Sequence, residues 1–417
     1  MKNSRGKIYI PRSLEGRLRR LVSTPEIIAL LGARQVGKTT LMRRIFQRLP
    51  DQKVFLDFED PEALALFDED IQAFARLYVD GKDYVFLDEF QYSRHGGKHL
   101  KFLYDRYPAK FVISGSSSLD VALKAAAALV GRVMLLELFP LSFEEFLSFR
   151  DLDLVPLVRQ YVHELKPFPE PLHRRLLRHL EEFTLWGGYP RVATSEAPEE
   201  RAEVLKNLLV TYLMKDIRGF FRLATEYPLQ KLMRALALQI GGLIQYTELA
   251  QVSGLSYQEL KRHLAILEET YILRFSRPFF TNRRLELVKN PKVYFLDLGF
   301  RNHLAQDFRG WSSRPDVGPL VENFVASELV KRGHELKFWR TKSGAEVDFV
   351  IEAREGPLPL EVKAGTGGTL GKSLLSFLKK YRPKAAYVLY TGNVRSTAAE
   401  GTPVQFLPLY ALPFLNW

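Results

Sequence analysis

The sequence predicts an α/β chain, and three observations carry that prediction. Over residues 1–150, short apolar runs alternate with helical patterns around Gly32-Ala33-Arg34-Gln35-Val36-Gly37-Lys38-Thr39, which satisfies the phosphate-loop pattern G-x-x-x-x-G-K-[ST]. Residues 241–292 read as a short helix, a turn at Gly254, a longer helix and a hairpin, the winged-helix pattern. Residues 293–417 read as a mixed α/β segment in which an Asp and then a Glu-x-Lys fall on two strand-like runs. The intervening 151–240 carries apolar residues at three- and four-residue spacing and reads as a helical lid.

Composition bounds these readings. At 417 residues the chain exceeds one ordinary core, and roughly three domains of about 100–200 residues are expected. A hydrophobic fraction of 46% excludes a largely disordered chain. No window approaches the ~18 uninterrupted apolar residues of a membrane span, and "MKNSRGKIYIPRSLEGRLRRL" lacks the apolar core of a signal peptide. A soluble, cytoplasmic protein without a membrane partner is the expectation. The sequence has no cysteine, which excludes disulfides, thiolate zinc sites and cysteine nucleophiles. A net charge of +12 favours polyanionic partners such as nucleic acid, against the blander reading of a generally basic proteome.

In the first segment, "EIIALLG" (26–32), "KVFLDFE" (53–59), "YVFLDEF" (84–90), "KFVISGS" (110–116) and "RVMLLEL" (132–138) suit strands buried on both faces. The phosphate loop lies between the first of them and the helical "TTLMRRIFQRL" (39–49), the context the pattern requires. Backbone N–H groups of Gly32 through Thr40, with the helix N-terminus, would cradle phosphates. Lys38 would neutralise the β- and γ-phosphates of ATP, and Thr39 would ligate Mg²⁺. Asp88, ending an apolar strand, would hold the Mg²⁺ through water, and Glu89 would activate the attacking water. Ser114 stands where a polar sensor of the γ-phosphate would, or else in a Ser-rich turn. Arg132 is either an arginine finger reaching a neighbouring copy in a homo-oligomer, or a surface arginine.

In the winged-helix segment, Tyr257, Gln258, Lys261 and Arg262 are the outward residues of the second helix. Arg274, Arg277, Arg283, Arg284, Lys289 and Lys292 crowd the hairpin against a single Glu286, a density suited to DNA phosphates. The alternative is a protein–protein module, because Glu259, Glu268 and Glu269 dilute the first face.

In "AEVDFVIEA" and "LPLEVKAG" a period of two puts Asp348, Glu361 and Lys363 on the polar faces of two strands, which a hairpin across "REGP" would bring together. Two carboxylates there could hold Mg²⁺ or Mn²⁺ and activate water for phosphodiester attack, with Lys363 orienting it. The alternative is an ordinary hairpin with Glu–Lys cross-strand pairs. Upstream, "PLVENFVASELVKRGHELKFWR" reads as a helix and a strand. On that helix Glu328 faces inward and Glu322 sits at the edge of the apolar stripe, so one of them needs a partner.

Beyond these patterns, "LDEFQ", "ISGSSS", "GRVMLLELFPLSFEEF", "WGGYP", "TYLMKDI", "KVYFLDLG", "LVENFVASEL" and "EVDFVI…LEVKAG" run through nearly the whole chain. As a set they resemble bacterial and archaeal AAA-type ATP-binding proteins with a C-terminal domain of poorly defined function. The resemblance implies an AAA-type ATPase, an ATP hydrolase with ATP or ADP and Mg²⁺ as ligands, then a winged helix and a restriction-endonuclease-like domain. The last segment is also similar to archaeal Holliday-junction resolvases, whose helix runs from an active-site Glu to a Gly eleven residues on, as Glu322 does to Gly333. That likeness implies Glu322 over Glu328 as the third acidic residue, and branched DNA as a partner. Val347 stands where the commonest nuclease pattern has Pro. The function expected is an ATPase coupling hydrolysis to DNA processing, with metal-dependent cleavage as a further step. The alternative is a nucleotide-dependent switch that binds protein or DNA without cutting.

Overall fold

The five apolar runs of the first segment form five strands: β1 (Ile27–Leu31), β2 (Lys53–Asp57), β3 (Tyr84–Asp88), β4 (Lys110–Gly115) and β5 (Val133–Glu137). All pair in parallel, in the order β2-β3-β4-β1-β5. Burial follows position. β1 and β4 lie in the interior of the sheet and are buried at every residue, whereas β5 at the edge exposes alternate ones. This is the α/β fold with a parallel sheet that the sequence predicts. The structure is a computed structural model, and it describes residues 8–116, 129, 131–211, 226–280 and 289–415. It divides into two compact units, Met1–Pro140 with Glu269–Tyr271, and Leu141–Glu268 with Ile272–Trp417. Among the described residues no helix is long and apolar enough to cross a membrane.

In the first unit the helix Leu14–Leu21 is clamped to the helix Lys38–Phe46 through one carboxylate. Glu15 accepts from Tyr9 (2.6 Å), Arg19 (2.8 Å) and Arg48 (2.8 Å), and pairs with Arg44 at 3.4 Å. The helix behind the phosphate loop is thereby fixed from its exposed side.

The second unit opens on the helix Phe143–Arg150, started by a capping box in which Ser142 and Glu145 satisfy each other's backbone N–H groups. The long helix Glu170–Trp186 packs against the C-terminal segment, where His173 meets the Tyr410 hydroxyl at 2.7 Å and the Thr391 carbonyl at 3.1 Å. The helix ends in the "WGGYP" run, which meets "KVYFLDLG". Asp297 accepts from Gly188 N at 2.7 Å and from Phe300 N at 2.8 Å. Gly187 has φ +77, and a Cβ there would lie 2.3 Å from Asp297 Oδ1, so no side chain fits.

The helix–turn–helix consists of Tyr246–Ser253 and Tyr257–Glu269, with Gly254 left-handed at the turn. β6 (Leu273–Pro278), the first strand of the expected hairpin, has a further partner. It pairs antiparallel with β7 (Lys292–Phe295), from Leu273↔Phe295 to Ser276↔Lys292. Residues 281–288, including the expected return strand "LELV", lie outside the described residues. The buried run Val293-Tyr294-Phe295, read from sequence as the start of the next segment, is thus the partner of β6. A boundary at 292/293 falls inside a strand. β6 also pairs in parallel with β8 (Lys337–Arg340), and β8 antiparallel with β9 (Glu346–Val347).

A second mixed sheet follows, in the order β10-β11-β12-β14-β13, from β10 (Phe349–Ala353), β11 (Gly356–Val362), β12 (Ala386–Tyr390), β13 (Arg395–Ala399) and β14 (Thr402–Pro408). The hairpin across "REGP" is present, with Phe349↔Leu360 and Ala353↔Gly356. Helix Lys372–Tyr381 links β11 to its parallel neighbour β12 and buries Leu374, Phe377 and Leu378 against Val350, Val388 and Phe406.

Candidate functional site

The phosphate loop leaves β1 through a backbone that only glycine allows. Gly32 has φ +153, and a Cβ there would lie 2.1 Å from the Leu138 carbonyl oxygen. Lys38, buried at the start of its helix, donates to the carbonyls of Gly32 (2.8 Å) and Ala33 (2.9 Å), so its ammonium lies across the mouth of the loop. Thr39 and Thr40 follow on the first turn of that helix. A residue that sequence reasoning passed over completes the loop. Arg12 is buried and donates to the carbonyls of Val36 (2.7 Å) and Phe139 (2.6 Å), bracing the loop from behind.

Asp88 ends β3 beside Ser114 on β4. The Ser114 hydroxyl donates to Asp88 Oδ1, and Glu89 N donates to Ser114 Oγ at 3.2 Å. The register that sets Leu87 opposite Ile113 produces this contact. Among the described residues no donor reaches Asp88 Oδ2, although that atom is buried. A buried carboxylate oxygen in that state fits a hydrated cation such as Mg²⁺. Glu89 is left-handed, φ 54 and ψ 41, and Gln91 Nε2 donates to its Oε2. Ser114 is therefore bonded into the Asp88–Glu89 corner and does not sit in a free turn. Arg132 pairs with Asp105 at 2.5 Å and is half-exposed, as a surface arginine would be.

Residues 24–147 match a family model described as an AAA domain. The match covers the parallel sheet and the phosphate loop of the first unit, which carries an AAA domain. Residues 177–310 and 317–412 match two models described as domains of unknown function, DUF8612 and DUF4143. The chain is similar to an uncharacterized protein of Mycobacterium tuberculosis, 27% identical over 393 residues and covering 92% of this chain and 80% of that protein. It is also similar to an uncharacterized protein of Methanocaldococcus jannaschii, 23% identical over 337 residues and covering 78% of this chain and 72% of that one. Among solved structures, a Walker-type ATPase of Pyrococcus abyssi aligns at 18% identity and a TM-score of 0.45, over 71% of this chain and 96% of that one.

In the second unit the structure brings together Glu322, Asp348, Glu361 and Lys363. Glu322 comes from the helix Val317–Lys331, Asp348 from the bend between β9 and β10, and Glu361 from β11. Val362 N donates to Asp348 Oδ2 at 2.7 Å, and Lys363 Nζ donates to Glu361 Oε1 at 2.7 Å. Burial pushes the Asp348 carboxyl well above its ordinary value, and the nearby carboxylates of Glu322 and Glu361 push it further. Burial likewise raises Glu361, with Lys363 opposing. Glu328 points elsewhere: it is buried, accepts from Phe143 N at 3.2 Å and pairs with Lys331 at 2.9 Å.

Two further residues enter this pocket, and the sequence reading had one in the wrong place. Lys292 was expected among the outward basic residues of the hairpin. It is instead buried, 3.1 Å from Glu322 Oε1 and 2.6 Å from Glu346 Oε1. The strand it starts is buried at all four residues, so the side chain faces the interior. Tyr294, two residues on, donates to Glu322 Oε1 at 2.5 Å. Burial alone would lower the Lys292 ammonium, but Glu322, Glu346 and Asp348 together hold it above its ordinary value. Among the described residues no group of three or more His, Asp or Glu is arranged to hold a metal ion. Lys292 and Tyr294 both bond Glu322 Oε1, and Lys292 also pairs with Glu346, so part of the carboxylate set already holds a cation.

On the helix Tyr257–Glu269, Tyr257, Gln258, Lys261 and Arg262 are exposed as expected, with Lys261 Nζ 4.6 Å from the Tyr257 ring centre. Arg274 turns back to the Glu268 carbonyl at 2.9 Å, and Arg277 on β6 is half-buried. Arg283 and Arg284 lie outside the described residues.

Proposed function

We propose that the protein hydrolyses ATP in its first unit and couples the cycle to DNA bound by its second. The convergence of Lys38, Asp88, Ser114 and Glu89 carries the ATPase part. Lys38 meets the β- and γ-phosphates, and in doing so gives up its bonds to the loop carbonyls. Glu89 takes a proton from the attacking water, held for that by its left-handed backbone and by Gln91. Ser114 fixes the Asp88 carboxylate and reports whether the corner is intact. Thr39 and Asp88 would hold Mg²⁺, which would supply charge neutralisation to the phosphates. Arg132 can serve a neighbouring copy only by leaving Asp105.

The exposed Tyr257, Lys261 and Arg262 support the DNA part, together with the net charge of +12. An aromatic ring beside a cation suits a phosphate backbone with an unstacked base. Cleavage at Glu322, Asp348, Glu361 and Lys363 would need a divalent ion among carboxylates that already hold Lys292. The reading favoured here is therefore the one in which the second unit handles DNA, branched DNA included, without cutting it. The test is binding of labelled duplex and four-way-junction DNA across a salt series. Lys261→Ala with Arg262→Ala should weaken binding on both substrates and reduce the salt slope by about one to two. Unchanged affinity and slope would remove this helix from the interface.

A further inference from the structure

We propose that Lys292 is the built-in cation of the second unit's carboxylate pocket and that its ammonium keeps divalent ions out. The inference rests on the grouping of Glu322, Asp348 and Glu361 described above, and takes nothing from DNA binding or ATP turnover.

The Lys292 ammonium bridges two carboxylates from different elements, Glu322 of the helix Val317–Lys331 and Glu346 of β9, at 3.1 and 2.6 Å, and its side chain is 4% exposed. Residues 292 and 294 alternate to one face of β7, so Tyr294 delivers its hydroxyl to the same Glu322 oxygen. Glu346 is held on its other oxygen by Arg340 at 3.5 Å. A hard divalent ion needs carboxylate oxygens gathered at about 2.0–2.6 Å and accepts no ammonium among them. To take Glu322 it would have to strip away both Lys292 and Tyr294, and leave a buried ammonium with half its counter-charge. The other half of the pocket is differently placed. Glu361 Oε2 is buried and reached by no donor among the described residues, and Asp348 keeps one oxygen beyond its bond to Val362 N. Oxygens of the type a cation requires are thus present, and one ammonium stands among them. Remove it and a divalent site opens.

The experiment titrates Mn²⁺ by calorimetry into the full-length, nucleotide-free chain. Five proteins are compared: wild type, Glu361→Gln, Lys292→Met, the charge-balanced pair Lys292→Met with Glu346→Gln, and that pair with Glu361→Gln added. The wild type should show no Mn²⁺ site that Glu361→Gln removes. The charge-balanced pair, folded by circular dichroism, should gain one saturable site and a Tm that rises with Mn²⁺. Adding Glu361→Gln should weaken that site by about 10–100-fold. The single variant leaves carboxylates uncompensated, so the pair decides the outcome if the single one does not fold. A wild type that binds Mn²⁺ through Glu361 as tightly as the pair would overturn the proposal, as would a folded pair that gains no site. No DNA or nucleotide is present, so failure of the DNA reading cannot be mistaken for either result.

Discussion

Glu89 follows β3 with φ 54, a conformation a non-glycine residue adopts only when its surroundings hold it there. Those surroundings are named bonds: Ser114 Oγ on its N–H, Gln91 on its carboxylate and Tyr92 N on its carbonyl. The account therefore assigns Ser114 a positioning role. Ser114→Ala should lower kcat by about tenfold or more while leaving the ATP Kd within about twofold, whereas Glu89→Gln should lower kcat by about 10²–10⁴-fold. Steady-state turnover with direct nucleotide binding separates the two parameters, and a Ser114→Ala effect on Kd alone would make the residue part of the binding loop. Lys38, Asp88 and Glu89 stood out in the sequence because the chemistry proposed for them depends on a local pattern. Arg12 was not, since its partners Val36 and Phe139 are 24 and 127 residues away and are backbone carbonyls, which leave no mark on composition. Lys292 was misread because a lysine beside arginines looks like a surface charge until its strand is known to be buried.

Among the elements, the helix Leu14–Leu21 owes its place to Glu15, and this makes the packing around the phosphate-loop helix sensitive to acid. Burial would raise the Glu15 carboxyl, but the Tyr9 hydroxyl and then Arg19, Arg44 and Arg48 outweigh it and hold it below its ordinary 4.5. The folded state thus gives up this charge later than the unfolded chain. The stabilisation is present above about pH 4.5 and fades as pH falls through the lower folded value. Glu15→Gln should destabilise the first unit by about 1–2 kcal/mol at pH 7, discounted for the partly exposed arginines. The difference from wild type should shrink below pH 4. Urea unfolding at both pH values measures it, and a gap that persists in acid would mean packing is responsible. The inner strands β1, β3 and β4 were legible because burial on both faces makes each one a continuous apolar run. The pairing of β6 with β7 was not, because strand pairing is set by tertiary contact, and "LELV" had a strand pattern nearer in sequence. The glycines of "WGGYP" were visible as a motif, but their reason lies in Asp297, more than a hundred residues away.

For the whole molecule, the first unit has the parts of an ATPase and the second has exposed basic and aromatic residues beside a carboxylate pocket that carries its own cation. The sequence placed Asp348 and Glu361 together, because a period of two and a short hairpin fix their faces, whereas Glu322 followed from a resemblance. The metal expected there followed from residue types alone, and Lys292, counted from sequence with the hairpin's basic residues, instead pairs with Glu322 and Glu346. The proposed coupling of ATP turnover to DNA would link the two units, and it requires no DNA cleavage. The measurement that tests this most directly is Mg²⁺-dependent ATP hydrolysis by the full-length chain, with and without four-way-junction DNA, beside Glu89→Gln. The account predicts turnover by the wild type that rises when the junction is added, and a variant that binds ATP and hydrolyses almost none in either condition. Turnover that is the same with and without DNA, or that survives in Glu89→Gln, would contradict it.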